Sequence, residues 1–144
     1  KVEADDVIGT LAVRAEAEGL DTTISSGDKD LAQLVNANIR LLNTMSDVTL
    51  DPEGVLTKFG VPPERIVDYL TLVGDSVDNV PGVPKVGPKT AAKWLAQYGS
   101  LEEIVQHADN KQNSNIFVLK SIPDRQRLWA TVKKRKRVFL KRHV

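Results

Sequence analysis

Residues 74–92 read GDSVDNVPGVPKVGPKTAA, and the fold of the whole chain turns on how this stretch is understood. Asp75 and Asp78 stand i, i+3, so one turn of chain brings both carboxylates to the same side. Pro81, Gly82, Pro84, Gly87 and Pro88 then forbid regular structure until a helical pattern begins over residues 89–98. Glycines let a backbone approach a phosphate closely, and the N–H groups opening a helix attract an anion. Pro88 suits the first helical position, and Lys85, Lys89 and Lys93 add positive charge. The stretch therefore predicts a grip on a phosphate backbone beside a metal site. Gly82, Val83, Lys85, Val86, Gly87, Lys89 and Thr90 are the candidate contacts. Such contacts hold the strand without reading its bases. The plainer reading of the loop is a corner between two helices. It is no mononucleotide loop, because GxxxxGK[ST] is absent and no strand precedes Gly87-Pro88-Lys89-Thr90.

Outward from that stretch, the first 50 residues alternate helix and strand. Residues 2–18 read as a helix with Val7, Ile8, Leu11, Ala12 and Ala15 on one stripe, stopped at Gly19. Residues 21–26 read as a short buried strand, 31–35 as a short helix, and 39–43 and 48–50 as further strands whose pairing is not legible. Asp51-Pro52 opens a helix that ends at Gly60, and Pro62-Pro63-Glu64 opens another that ends at Gly74. Tyr69 and Trp94 read as core anchors, and Ser100 as the cap of a last short helix. This order predicts the C-terminal part of an α/β sheet domain (residues 1–60), then a helical subdomain (61–110). A basic tail follows (111–144), with 125–140 a candidate helix. Residues 1–50 carry too few strands to close such a core, so the segment is expected to begin inside a longer protein.

Composition narrows the chemistry. There is no cysteine, which excludes disulfides and thiolate metal sites. No apolar run approaches the roughly 20 residues that span a bilayer. The net charge of +1 hides an asymmetry: residues 1–110 hold 9 Lys and Arg against 18 Asp and Glu, and residues 111–144 hold 11 against 1. The tail reads either as a solvated end or as a nucleic-acid contact. An acidic body binds DNA broadly only where cations neutralise its carboxylates.

Those carboxylates cluster: Glu3, Asp5 and Asp6; Asp28 and Asp30; Asp75 and Asp78. Helix capping explains one or two of the first group, and an N-cap role explains Asp28 taken alone. Gathered together they would repel, at about 4 kcal/mol for a pair ~4 Å apart in an effective dielectric of 20. Divalent cations relieve that repulsion, and all-oxygen ligands suit Mg²⁺ or Mn²⁺. Two such ions can serve the attacking water and the leaving oxygen of a phosphodiester. His107 and His143 lack metal-ligand spacing and read as surface residues. Ser25 and Ser26 have no His nearby in sequence, which argues against a serine hydrolase.

VEADD at 2–6, SGDKD at 26–30 and GDSVDNVPGVPKVGPKTA at 74–91 together resemble the 5′ nuclease domain of bacterial DNA polymerase I, within the flap endonuclease group. The resemblance covers residues 1–110. It implies a PIN-like core followed by a helix–three-turn–helix DNA-binding element. It further implies Mg²⁺-dependent removal of 5′ flaps and RNA primers by two ions during replication and repair. By position, Glu3, Asp5, Asp6, Asp28, Asp30, Asp75 and Asp78 resemble the family's metal ligands, with Asp28, Asp30, Asp75 and Asp78 the catalytic set. Residues 82–87 resemble the loop that grips the duplex and, in several relatives, holds K⁺ through backbone carbonyls. The implied partner is flapped, nicked or primer-template DNA. The implied state is a monomer, in some relatives fused to a polymerase, in a bacterial cytoplasm at the nucleoid. The family's N-terminal Asp ligands and helical arch have no counterpart here, so the alternative is a non-catalytic DNA-binding fragment.

Overall fold

The structure is a computed structural model and describes residues 3–109. The basic tail, its candidate helix and His143 lie outside those residues. The chain divides into two compact units, one including residues 3–66 and the other residues 67–109.

In the first unit, α1 (Ala4–Ala17) ends because Gly19 turns left-handed at φ 76°. Gly19 N–H donates to Glu16 O (2.8 Å) and Leu20 N–H to Ala15 O (2.9 Å), the paired bonds that close a helix around a glycine. Strand β1 (Thr22–Ser25) runs parallel to β2 (Ile39–Asn43), with Ile24 opposite Leu41. Strand β3 (Val48–Leu50) pairs antiparallel to β2, with Leu50 opposite Leu41. Ile24, Leu41 and Leu50 thus form one buried row, joined by Ile39 from the same face of β2. The sheet order is β1-β2-β3.

A 3₁₀ helix (Lys29–Leu34) links β1 to β2 and buries Leu31, Ala32 and Leu34. After it, the Asn36 side-chain oxygen accepts from the N–H groups of Asn38 (2.9 Å) and Ile39 (3.0 Å), while its amide donates to Glu16 Oε1 (2.7 Å). This one side chain ties the start of β2 to α1. Helix α2 (Pro52–Phe59) begins as its sequence demands: the Asp51 carboxylate accepts from Gly54 N–H at 2.7 Å, and Pro52 occupies the first turn.

Two expectations need correction. The β1 strand is not buried throughout: only Ile24 is, and Thr23 and Ser25 are exposed. The apolar stripe of α1 also divides, since Gly9 and Ala12 are buried while Val7 (48%) and Leu11 (60%) stand in solvent. Small residues allow the helix backbone a close approach, and that selects a face other than the one its larger side chains mark.

Helix α3 (Ile66–Val73) leads into the second unit from a short 3₁₀ turn at Pro63–Arg65. Ile66, Leu70, Leu72, Thr71 and Tyr69 are all buried, so α3 is enclosed on nearly every side. Each buried Leu or Ile contributes about 1.5–3 kcal/mol. Helices α4 (Pro88–Tyr98) and α5 (Leu101–Asp109) form a hairpin around Gly99 at φ 85°. Trp94, Leu95, Leu101 and Ile104 are buried. Ala96 is exposed. No helix of the described residues is long and apolar enough to cross a membrane.

Candidate metal centre and nucleic-acid interface

The loop from α3 to α4 is built on backbone contacts that only glycine permits. Gly74 ends α3, its N–H donating to Leu70 O (2.8 Å) at φ 88°. Gly82, at φ 67°, lies so close that a Cβ on it would stand 2.5 Å from Val73 O and 2.7 Å from Gly74 N. A Cβ on Gly74 would stand 2.9 Å from both Gly82 N and Val80 O. The residues between them are thereby drawn into a closed turn. Asp75 and Val80 exchange backbone bonds (2.8 and 2.7 Å) as an isolated antiparallel bridge. Asn79 closes the turn at φ 54°, a conformation that Asn tolerates better than most side chains.

This turn presents the carboxylates. Asp75 is buried, at 7% exposure, and its Oδ1 accepts from Val77 N–H at 3.0 Å. Asp78 is exposed. An oxygen of Asp75 and one of Asp78 lie within 4.8 Å of each other. Val73, Gly74, Asp75, Ser76, Asn79, Val80 and Pro81 line an open depression at the same turn. A pair of carboxylate oxygens so placed fits a hard cation, and burial of Asp75 in particular is eased by a positive charge beside it. Asn79 was not singled out from sequence, although Asp-Asn ahead of Val-Pro marks a turn.

The downstream loop has less free backbone than its glycines suggest. Val83 N–H donates to Leu72 O (2.8 Å) and Val86 N–H to Val83 O (3.1 Å), so neither amide is open to a phosphate. Both side chains are core residues, at 4% and 7% exposure. Gly82 is likewise buried. These three candidate contacts hold the loop's shape. Lys85 and Lys89 are exposed and Thr90 half-buried. Lys85 has φ 64°, an uncommon left-handed position for lysine. Gly87 caps α4 without a side-chain hydrogen bond, so the first-turn amides of Lys89 and Thr90 receive no cap from it.

In the first unit, Asp28 caps the 3₁₀ helix, its Oδ1 accepting from Asp30 N–H at 2.9 Å. Ser26 Oγ accepts from Asp28 N–H at 3.1 Å. Asp28 is exposed and Asp30 half-buried. Glu3 is the N-cap of α1 but makes no side-chain cap bond, and Asp5 and Asp6 lie half-buried in its first turn. Among the described residues of this unit, these five acids include no three whose oxygens all lie within 4.8 Å of one another. His107 is exposed, its ring 5.0 Å from that of Tyr98.

A family model described as "5'-3' exonuclease, N-terminal resolvase-like domain" matches residues 1–60, and "5'-3' exonuclease, C-terminal SAM fold" matches residues 61–137. The chain belongs to the 5′-3′ exonuclease family. The expected nuclease core followed by a helical subdomain is the family's architecture. Similar curated proteins include DNA polymerase I of Rhizobium leguminosarum, 51% identical over 106 residues (74% of this chain, 10% of that protein). They also include the 5'-3' exonuclease of Aquifex aeolicus, 51% identical over 110 residues (76% of this chain, 38% of that protein). The chain thus spans only a minor part of the relatives it matches. Among solved structures, a bacteriophage T5 protein co-crystallized with metal ions shares the fold with a TM-score of 0.77 at 18% identity, covering 92% of this chain and 49% of that one. The T5 flap endonuclease in a complex with DNA and metal ions aligns with a TM-score of 0.67 at 17% identity, covering 98% and 48%.

Proposed function

We propose that this chain supplies part of the active centre of a structure-specific 5′ nuclease, which hydrolyses phosphodiesters in flapped or nicked DNA and RNA primers. In this reading Asp75 and Asp78 hold a Mg²⁺ or Mn²⁺ ion. Glu3, Asp5, Asp6, Asp28 and Asp30 serve a second ion. The observation that carries the reading is the Asp75–Asp78 pair, one member buried, on a turn locked by the Gly74–Gly82 contact. Family membership supports it independently.

Cations held by these carboxylates would supply Lewis-acid polarisation of the scissile phosphate and lower the pKa of a bound water. Asp75, fixed by Val77 N–H at 3.0 Å, keeps one orientation, so little reorganisation is needed when substrate arrives. Lys85, Lys89 and the opening amides of α4 hold phosphates along the duplex. K⁺ at the 82–87 loop belongs to the same proposal.

The test is flap cleavage by the full-length protein. Asp75→Asn is expected to abolish Mg²⁺-dependent cleavage and to leave flap binding measurable. Cleavage at the parent rate would refute the assignment. The second reading, a DNA-binding fragment without catalysis, draws on the small share of its relatives that the chain spans. Binding of nicked duplex by this segment with no cleavage under any divalent ion supports it.

A further inference from the structure

Val77 stands between the two carboxylates, and its side chain is 90% exposed. Its main chain is held firmly. Val77 N–H is bonded to Asp75 Oδ1, and the turn carrying it is closed on both sides by the Asp75–Val80 bridge. A β-branched side chain has restricted χ1 freedom, so its two methyl groups are carried on a stiff mount. Almost none of this apolar surface is buried by the described fold, so it gives the fold little stability. Neighbouring Cα atoms are ~3.8 Å apart, so Val77 is carried on the chain directly beside Asp78.

We propose that Val77 is a substrate-contacting residue: its methyl groups pack on the open face of the base attached at the phosphate that Asp75 and Asp78 engage. This inference rests on the nuclease reading above. Every base offers an apolar π-face, so the contact is indifferent to sequence, as suits an enzyme that recognises structure. A polar side chain at this position would keep its hydration and lose the contact. The base concerned must be unstacked on one side, which is the condition at a nick or flap junction. Val77 thus favours substrates with a broken stack at the cut over continuous duplex.

The experiment is a cycle between protein and substrate in the full-length protein. Val77→Ser and Val77→Ile are compared with the parent on flap DNA that carries either a normal nucleotide or an abasic one at the cleaved position. Val77→Ser is expected to raise KM about tenfold on normal flap, in the range of a small apolar group's discrimination, with kcat unchanged. Val77→Ile keeps the parent KM. On the abasic flap the parent loses its advantage, and serine and valine become equal. Thermal unfolding of Val77→Ser should match the parent, because the side chain is solvated. An unchanged KM on normal flap, or a serine penalty that persists undiminished on abasic flap, overturns the inference while leaving the nuclease reading intact. A parent protein that cuts neither substrate overturns both.

Discussion

At the scale of single residues, Gly82 is the position where the structure leaves least choice. A Cβ there would meet main-chain atoms of Val73 and Gly74 at 2.5 to 2.7 Å, and backbone cannot swing aside as a side-chain tip can. Gly82→Ala is expected to destabilise the second unit by about 2–4 kcal/mol through overlap plus left-handed strain, read by chemical denaturation. Asp68 is a second such position. It is 2% exposed, and its Oδ2 accepts from Leu101 N–H at 3.2 Å across 33 residues of chain. Asp68→Ala should cost about 1–3 kcal/mol, since it leaves a buried amide unanswered, and thermal unfolding measures it. Sequence gave a hint of this only in an Asp set inside the apolar run IVDYLTLV. A carboxylate in such a run has a distant partner, but nothing in the run names the partner.

At the scale of elements, caps and stops were legible because they act over three or four residues. Asp51, Pro52 and Gly60 bound α2 as read, and Ser100 Oγ accepts from Glu103 N–H at 3.2 Å. Asp51→Ala should therefore cost about 1 kcal/mol, seen as a lowered denaturation midpoint with an unchanged slope. The α3–α4 loop was legible in outline and misjudged in detail. Its glycines and prolines announced a tight turn, but the amides of Val83 and Val86 are consumed by Leu72 and Val83 carbonyls. Composition shows that a loop can approach a phosphate. It does not show which amides remain open, because that depends on bonds to a helix earlier in the chain. Lys89→Ala is accordingly expected to weaken flap-DNA binding and flatten its salt dependence by about one unit of slope. Val83→Ala should act on stability instead, and both are separable by fluorescence titration beside thermal unfolding.

At the scale of the molecule, the acids fall in two compact units, Asp28 and Asp30 in one, Asp75 and Asp78 in the other. If an ion binds at Asp75 and Asp78, its binding is linked to the folding of the second unit. Mn²⁺ at a hundredfold above its Kd should add about 2.7 kcal/mol of stability. Asp75→Asn should remove that increment, and chelation should remove it from the parent. Calorimetric scans with and without Mn²⁺ check this. An Asp75→Asn protein that keeps the full increment would show that the ion binds elsewhere.

What the sequence determined by itself was local: where helices start and stop, where strands lie, and which short stretches concentrate carboxylates, glycines and lysines. Those features rest on interactions within a few residues, so a linear reading reaches them. Tertiary structure alone decided that β1 and β2 pair in parallel with Ile24 beside Leu41. It alone buried Gly9 and Ala12 rather than Val7 and Leu11, and brought Gly82 against Gly74. Each of these is a contact between surfaces distant in the chain, set by which close approaches small residues allow, and no residue carries the shape of its distant neighbour.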